Sequence, residues 1–324
     1  MSGLRTLSKS DTKRRMGPPP SGRQFEIEHG DQQATVVELG AGLRTFAVDA
    51  HDRIDGYARD EMCSGSRGQL LVPWPNRIAG GRYEFGGADH QLALNEPAMS
   101  NAIHGLGRWV NWTVDEHAAD GVTLSYALYP QPGYPFLVAL EVAYELDDDG
   151  LRVRTTATNL GDEPCPYGAG CHPYLRLDQE RIDGLELLSP AATYYESDEH
   201  KIPTGRSTVA GTAFDFRSPR PIGATVMDHA FTDLARDADG RATVLVRDPA
   251  TGETVELWCD ARYAYLMIFT GDALPDPERR RTGLAVEPMT CAPNAFRSGD
   301  GLEVLQPGAT TTATWGMRAT RSGR

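Results

Sequence analysis

From Phe25 onward the chain alternates apolar and polar residues with a period of two, in short runs separated by turn residues. A period of two is the signature of half-buried strands, because successive side chains leave a strand on opposite faces. Residues 34–39 and 43–48 read as a hairpin across Gly40-Ala41-Gly42. Residues 122–129 and 151–158 alternate cleanly, and 136–144 form a longer apolar run. Further candidate strands are 243–247, 254–259, 263–270 and 310–317, rich in β-branched and aromatic residues. No amphipathic helix longer than about two turns is legible, and no fixed-period repeat suggests a propeller or solenoid. The 34 glycines and 22 prolines fit a chain with many turns. These features predict an all-β fold, a sandwich or barrel, in one domain over residues 25–324.

Residues 1–24 are basic and rich in Pro and Ser, and the run from Met16 to Gly22 can continue neither a helix nor a ladder. This segment is expected to be a disordered tail, since it lacks the apolar centre of a secretory signal. The formal charge of −13 disfavours nucleic acid and anionic membranes as partners, and no apolar run approaches the roughly 18 residues of a membrane span. Five widely spaced cysteines, Cys63, Cys165, Cys171, Cys259 and Cys291, contain no Cys-x-x-Cys pair. They read as reduced thiols of a cytoplasmic protein without a metal site.

Five segments break the strand pattern. Arg77 lies in the stiff run Pro73-Trp-Pro-Asn-Arg, which would present a guanidinium to paired oxygens or leave it as a surface arginine in a turn. His104 precedes Gly105 and Gly107, which would let backbone approach a ligand closely, with Asn95-Glu96 upstream able to reach hydroxyls. His104 reads equally as a structural histidine. His172, between a Gly-rich approach and Pro173, is held extended, so Tyr174 should share its face; a satisfied core histidine is the alternative. Asp228 and Asp233 offer acceptors, or simply an Asx-turn. Glu287 ends the buried run 284–286 before Pro288, where a carboxylate with a raised pKa could stay reactive, or form a rim salt bridge.

The order of these fragments resembles the aldose 1-epimerase (galactose mutarotase) family: Asn76-Arg77-Ile78 with Gly81-x-Tyr83-x-Phe85, Asn95-Glu96, His104-Gly105, His172-Pro173-Tyr174, Asp228-His229-Ala230-Phe231 and Glu287-Pro288. The resemblance runs from about residue 30 to the C-terminus. It implies a large antiparallel β-sandwich with an open sugar cleft and no cofactor or metal. It implies Glu287 as the general base at the C1 hydroxyl and His172 as the general acid at the ring oxygen. His104, Arg77, Asp228, Asn76 and Tyr174 are implied to bind the sugar. Reference pKa values of about 4.3 for Glu and 6.5 for His already stand in the order such chemistry needs.

The run His104-Gly-Leu-Gly-Arg-Trp and the segment after Glu287-Pro288 depart from the commonest family pattern, which bears on the preferred sugar. A sister branch takes hexose 6-phosphates, and Arg77, Arg82 and Arg108 are the candidates to hold a phosphate, though they form no dedicated cluster. Trp74, Trp109 or Tyr174 could offer an apolar face to the ring. The expected partner is a small-molecule sugar, and the expected state a monomer or homodimer. Two other classes compete: a non-catalytic sugar-binding module, and a glycoside hydrolase or lyase pairing Asp228 with Glu287.

Overall fold

The computed structural model describes residues 18–320. Residues 1–17 of the expected tail lie outside the described residues. Of the remainder, Ser21 is buried and accepts a hydrogen bond from Gln24, which opens the first strand, and Arg23 pairs with Glu38.

Among the described residues the fold is all-β and antiparallel. A nine-stranded sheet runs, in spatial order, through Thr113–His117, Gly121–Leu128, Val138–Asp147, Gly150–Asn159, Thr310–Thr320, Thr254–Cys259, Ala242–Arg247, Glu186–Leu188 and Arg220–Pro221. An eight-stranded sheet is built on Pro203–Thr208, Ala191–Ser197, Asp228–Leu234, Tyr265–Phe269, Leu284–Met289, Gly170–Cys171 and Leu70–Leu71, with Tyr174–Leu175 also pairing Leu284–Met289. A four-stranded sheet from Gln24–His29 to His51–Asp52 contains the expected hairpin, Gln32–Val37 against Leu43–Val48. Among the described residues helix is confined to single turns, the one α-helical turn being Ala295–Ser298.

Alternation explains which residues meet. On Thr254–Cys259 the buried positions are Val255, Leu257 and Cys259, and on Ala242–Arg247 they are Ala242, Val244 and Val246. All six join one hydrophobic cluster that extends from Phe25 to Met317. The eight-stranded sheet behaves differently, because its central strands are buried on both faces. Leu266, Ile268, Leu284 and Val286 point into the large cluster, whereas Tyr265, Met267 and Met289 form a separate small one on the opposite face. That second face is the floor of the site.

Glu287 does not end its strand, as the sequence suggested. Leu284–Met289 continues through Pro288, whose Cα partner on the next strand is Leu266. Proline deprives a ladder of one donor. Here the neighbouring chain on the other side is itself interrupted at His172-Pro173, between Gly170–Cys171 and Tyr174–Leu175. All five cysteines are free and buried.

Candidate active site

Sheet register brings the two principal candidates together. Gly170 pairs with Met289 and Tyr174 with Ala285, and continuing the same antiparallel register sets His172 opposite Glu287. Met267 is the Cα partner of Glu287 on the other side, and Ala230 that of Met267. The sheet face therefore carries a cross-strand row of Ala230, Met267, Glu287 and His172, extended by Tyr195 in the register of the next strand. Nε2 of His172 lies 3.2 Å from Oε1 of Glu287, both side chains being almost wholly buried. Oε2 of Glu287 and Nδ1 of His172 find no hydrogen-bond partner among the described residues.

Burial dominates the electrostatics. It pushes the Glu287 carboxyl well above the usual carboxylate range; the nearby charge of Asp228 acts in the same sense and Arg77 opposes it. Burial takes His172 down to about 3, opposed by the polar backbone of its own residue and assisted by the guanidiniums of Arg67, Arg108 and Arg77. The order given by reference values is thus overturned, because both groups have left water and each is shifted toward its neutral form.

His104 meets His172 edge to face, with ring centroids 5.5 Å apart. Its Nδ1 accepts the backbone N–H of Asn76 at 3.2 Å. In the neutral ring, favoured by burial and by the cations around it, this assigns the hydrogen to Nε2. His104, His172 and Glu287 bring their ligating atoms within 4.8 Å of one another, a grouping that could be read as a metal centre. The tautomer argues otherwise: a metal on Nε2 of His104 would require hydrogen on Nδ1, where Asn76 already donates.

Both Asn76 and His104 have left-handed backbones, φ 55° and 62°. Asn76 is buried, and its Oδ1 accepts the N–H of Arg77. Arg77 forms a bidentate pair with Glu96, at 2.8 and 2.9 Å. Asn95 holds the backbone of Ile103 through both its oxygen and its amide. Asn95 and Glu96 are thus engaged in fixing the Arg77 and His104 segments, not directed at hydroxyls as expected. Asp228 faces Lys201, 3.0 Å from its Nζ. Asn76, Arg77, Tyr195, Lys201, Asp228 and Met267 are among the residues lining a cleft over the sheet.

Other candidates are used elsewhere. Tyr174 is buried behind His172, stacked on it at 5.0 Å, and donates its hydroxyl to the carbonyl of Gly65. Arg67 lies over the Tyr174 ring at 4.7 Å and in turn pairs with buried Asp55. Neither Arg67 nor Asp55 was legible as a site residue in the chain, since a buried ion pair has no motif. Trp74 is packed in the core, edge to face with Phe296, so it offers no ring face; Trp109 is half exposed beneath Arg108. Asp233, five residues after Asp228, is exposed on the opposite face of its strand. Gly105 and Gly107 approach the backbone of Val72, not a ligand: a Cβ on Gly105 would lie 2.0 Å from the Val72 carbonyl.

Comparison with known proteins identifies the family of the chain. The model of the aldose 1-epimerase family matches residues 23–318. The chain is 37% identical over 289 residues to the uncharacterized protein YihR of Escherichia coli, covering 89% of this chain and 90% of that one. It is 30% identical over 312 residues to the aldose 1-epimerase of Escherichia coli, covering 83% and 87%. Among solved structures, the GalM/aldose epimerase homologue from C. elegans matches with a TM-score of 0.83 at 20% identity, over 93% of this chain and 99% of that one, a likeness of fold. This chain belongs to the aldose 1-epimerase family.

Proposed function

We propose that the protein is an aldose 1-epimerase that interconverts the α and β anomers of a free hexose such as glucose or galactose. The observation that carries this reading is the buried Glu287–His172 contact of 3.2 Å, with a second carboxyl oxygen that lacks a partner among the described residues. Ring opening needs a proton taken from the C1 hydroxyl and one given to the neighbouring ring oxygen. A carboxyl and an imidazole sharing one proton can do both. Once the shared proton passes from Glu287 to His172 across their contact, Glu287 takes hydrogen from O1, His172 gives hydrogen to O5, and the C1–O5 bond breaks as C1=O1 forms. Rotation about C1–C2 presents the other aldehyde face. His172 then removes hydrogen from O5, Glu287 returns one to O1, and the pair regains its starting state. Nε2–H of His104 is a donor for the oxygen on which charge develops.

A free sugar is favoured over a 6-phosphate because the arginines that could hold phosphate are engaged. Arg77 is matched by Glu96, Arg82 donates to Gln91, and buried Arg108 donates to Ser66 and the Ile103 carbonyl. A hydrolase that pairs Asp228 with Glu287 is disfavoured, since each already faces a basic side chain.

The test is polarimetry of freshly dissolved α-glucose and α-galactose, with the 6-phosphates alongside. Glu287→Gln and His172→Asn should each lower the catalysed rate by about 10²–10⁴-fold, the usual contribution of a positioned acid or base. Wild-type rates in both variants would refute these roles.

A further inference from the structure

Of the 32 Lys and Arg in the chain, three are lysines, Lys9, Lys13 and Lys201. Lys201 is the single lysine among the described residues, and it lies in the cleft. Its backbone is left-handed, φ 63°, in the turn between Ala191–Ser197 and Pro203–Thr208. Such a conformation is uncommon for a long side chain and is supported locally. Oδ1 of Asp198 accepts the N–H groups of His200 and Ile202, both at 2.9 Å. The amide of Asn101 donates to the His200 carbonyl at 2.9 Å and also reaches Glu96, the partner of Arg77. The turn is thereby tied to the segment that fixes the opposite wall of the cleft.

A partly exposed ion pair contributes little to stability, so the Lys201–Asp228 contact is poorly explained as a structural brace. We infer that Lys201 is a specificity-determining residue which, with Asp228, reads a neutral pair of adjacent hydroxyls on the ring edge away from C1. This rests on the epimerase reading of the same site. An ammonium has three donors. One is directed at Asp228 at 3.0 Å, leaving two for sugar oxygens, while the carboxylate accepts from sugar hydroxyls. A donor and an acceptor side by side suit a diol, each of whose hydroxyls both accepts and donates. Arginine, used almost everywhere else in the chain, would present a rigid fork better matched to carboxylate or phosphate. Lys201 and Asp228 also neutralise each other, which favours an uncharged substrate edge.

The test is the kinetics of Lys201→Met and Lys201→Arg on glucose and its 2-, 3-, 4- and 6-deoxy analogues. Loss of Lys201 leaves the Asp228 charge facing Glu287, so each variant is compared at the plateau of its own pH profile. Lys201→Met should raise KM for glucose about tenfold to a hundredfold, the scale of a hydrogen bond to a charged group, with kcat changed much less. The penalty should vanish for a 3- or 4-deoxy analogue, and Lys201→Arg should restore part of the affinity. An unchanged KM, or an equal penalty on every analogue, would overturn the inference. Ligand-observed NMR of glucose binding reads the same contrast without catalysis. A wild-type protein that binds glucose but leaves its anomers unexchanged would therefore refute the epimerase reading alone, and the binding ratio would still decide the role of Lys201.

Discussion

Removing a carboxyl and an imidazole from water shifts both toward their neutral forms, and at Glu287 and His172 these shifts cross. The shared proton then rests on the carboxyl, and its transfer to His172 across the 3.2 Å contact would ready the pair for ring opening. The pair titrates as a unit, and its working form holds one proton. Below the pH at which it gains a second, no base remains; above the pH at which it loses its proton, no acid remains. Because burial carries His172 down to about 3, the acid limb of kcat/KM should lie well below 6.5. Catalysed mutarotation, corrected for the spontaneous reaction, should stay level from about pH 6.5 to near pH 4, following the depressed imidazole. A half-loss at pH 6.5 would show an ordinary, solvated histidine. The residue types of this pair were legible in the chain, since Glu287-Pro288 and His172-Pro173 stand out from the strands around them. Their shifted titration was not, because it depends on burial against residues distant in sequence.

At the scale of elements, strands were the most legible part of the chain. Thr254–Cys259 coincides with the alternating run expected there, and Ala242–Arg247 begins one residue early. Alternation reports its own geometry directly. What it cannot report is register between strands far apart in sequence, and here register sets His172 opposite Glu287. The glycines were misread for a related reason: a sequence shows that close approach is possible, but not to what. At Gly105 the close neighbour is the Val72 carbonyl, with φ 70° besides. Gly105→Ala therefore meets both a clash and a disfavoured backbone. It should destabilise the fold by about 1–3 kcal/mol in a denaturant titration, the scale of one strained residue. It should also reduce mutarotation by displacing the adjoining His104. A variant with unaltered stability and rate would show that the loop can shift at no cost.

For the whole molecule, net charge and the local charge balance of the site have to be considered together. The chain carries −13, yet the two cations lining the cleft, Arg77 and Lys201, each face a carboxylate. The overall charge was readable from composition, whereas this matching depends on strands and turns meeting across the sheet. A neutral hexose diffusing toward such a cleft experiences neither steering nor repulsion. An anionic sugar would be held off by the field of the whole protein, and less so once counterions shorten its reach. Ionic strength thus becomes a gauge of substrate charge: kcat/KM for glucose should remain level from about 0.01 M to 1 M salt, over which the screening length falls from about 30 Å to 3 Å. A pronounced salt dependence would mean that the cleft recognises a charged sugar. With its cations matched in this way, the cleft meets an uncharged guest by diffusion alone, in dilute buffer and concentrated brine alike.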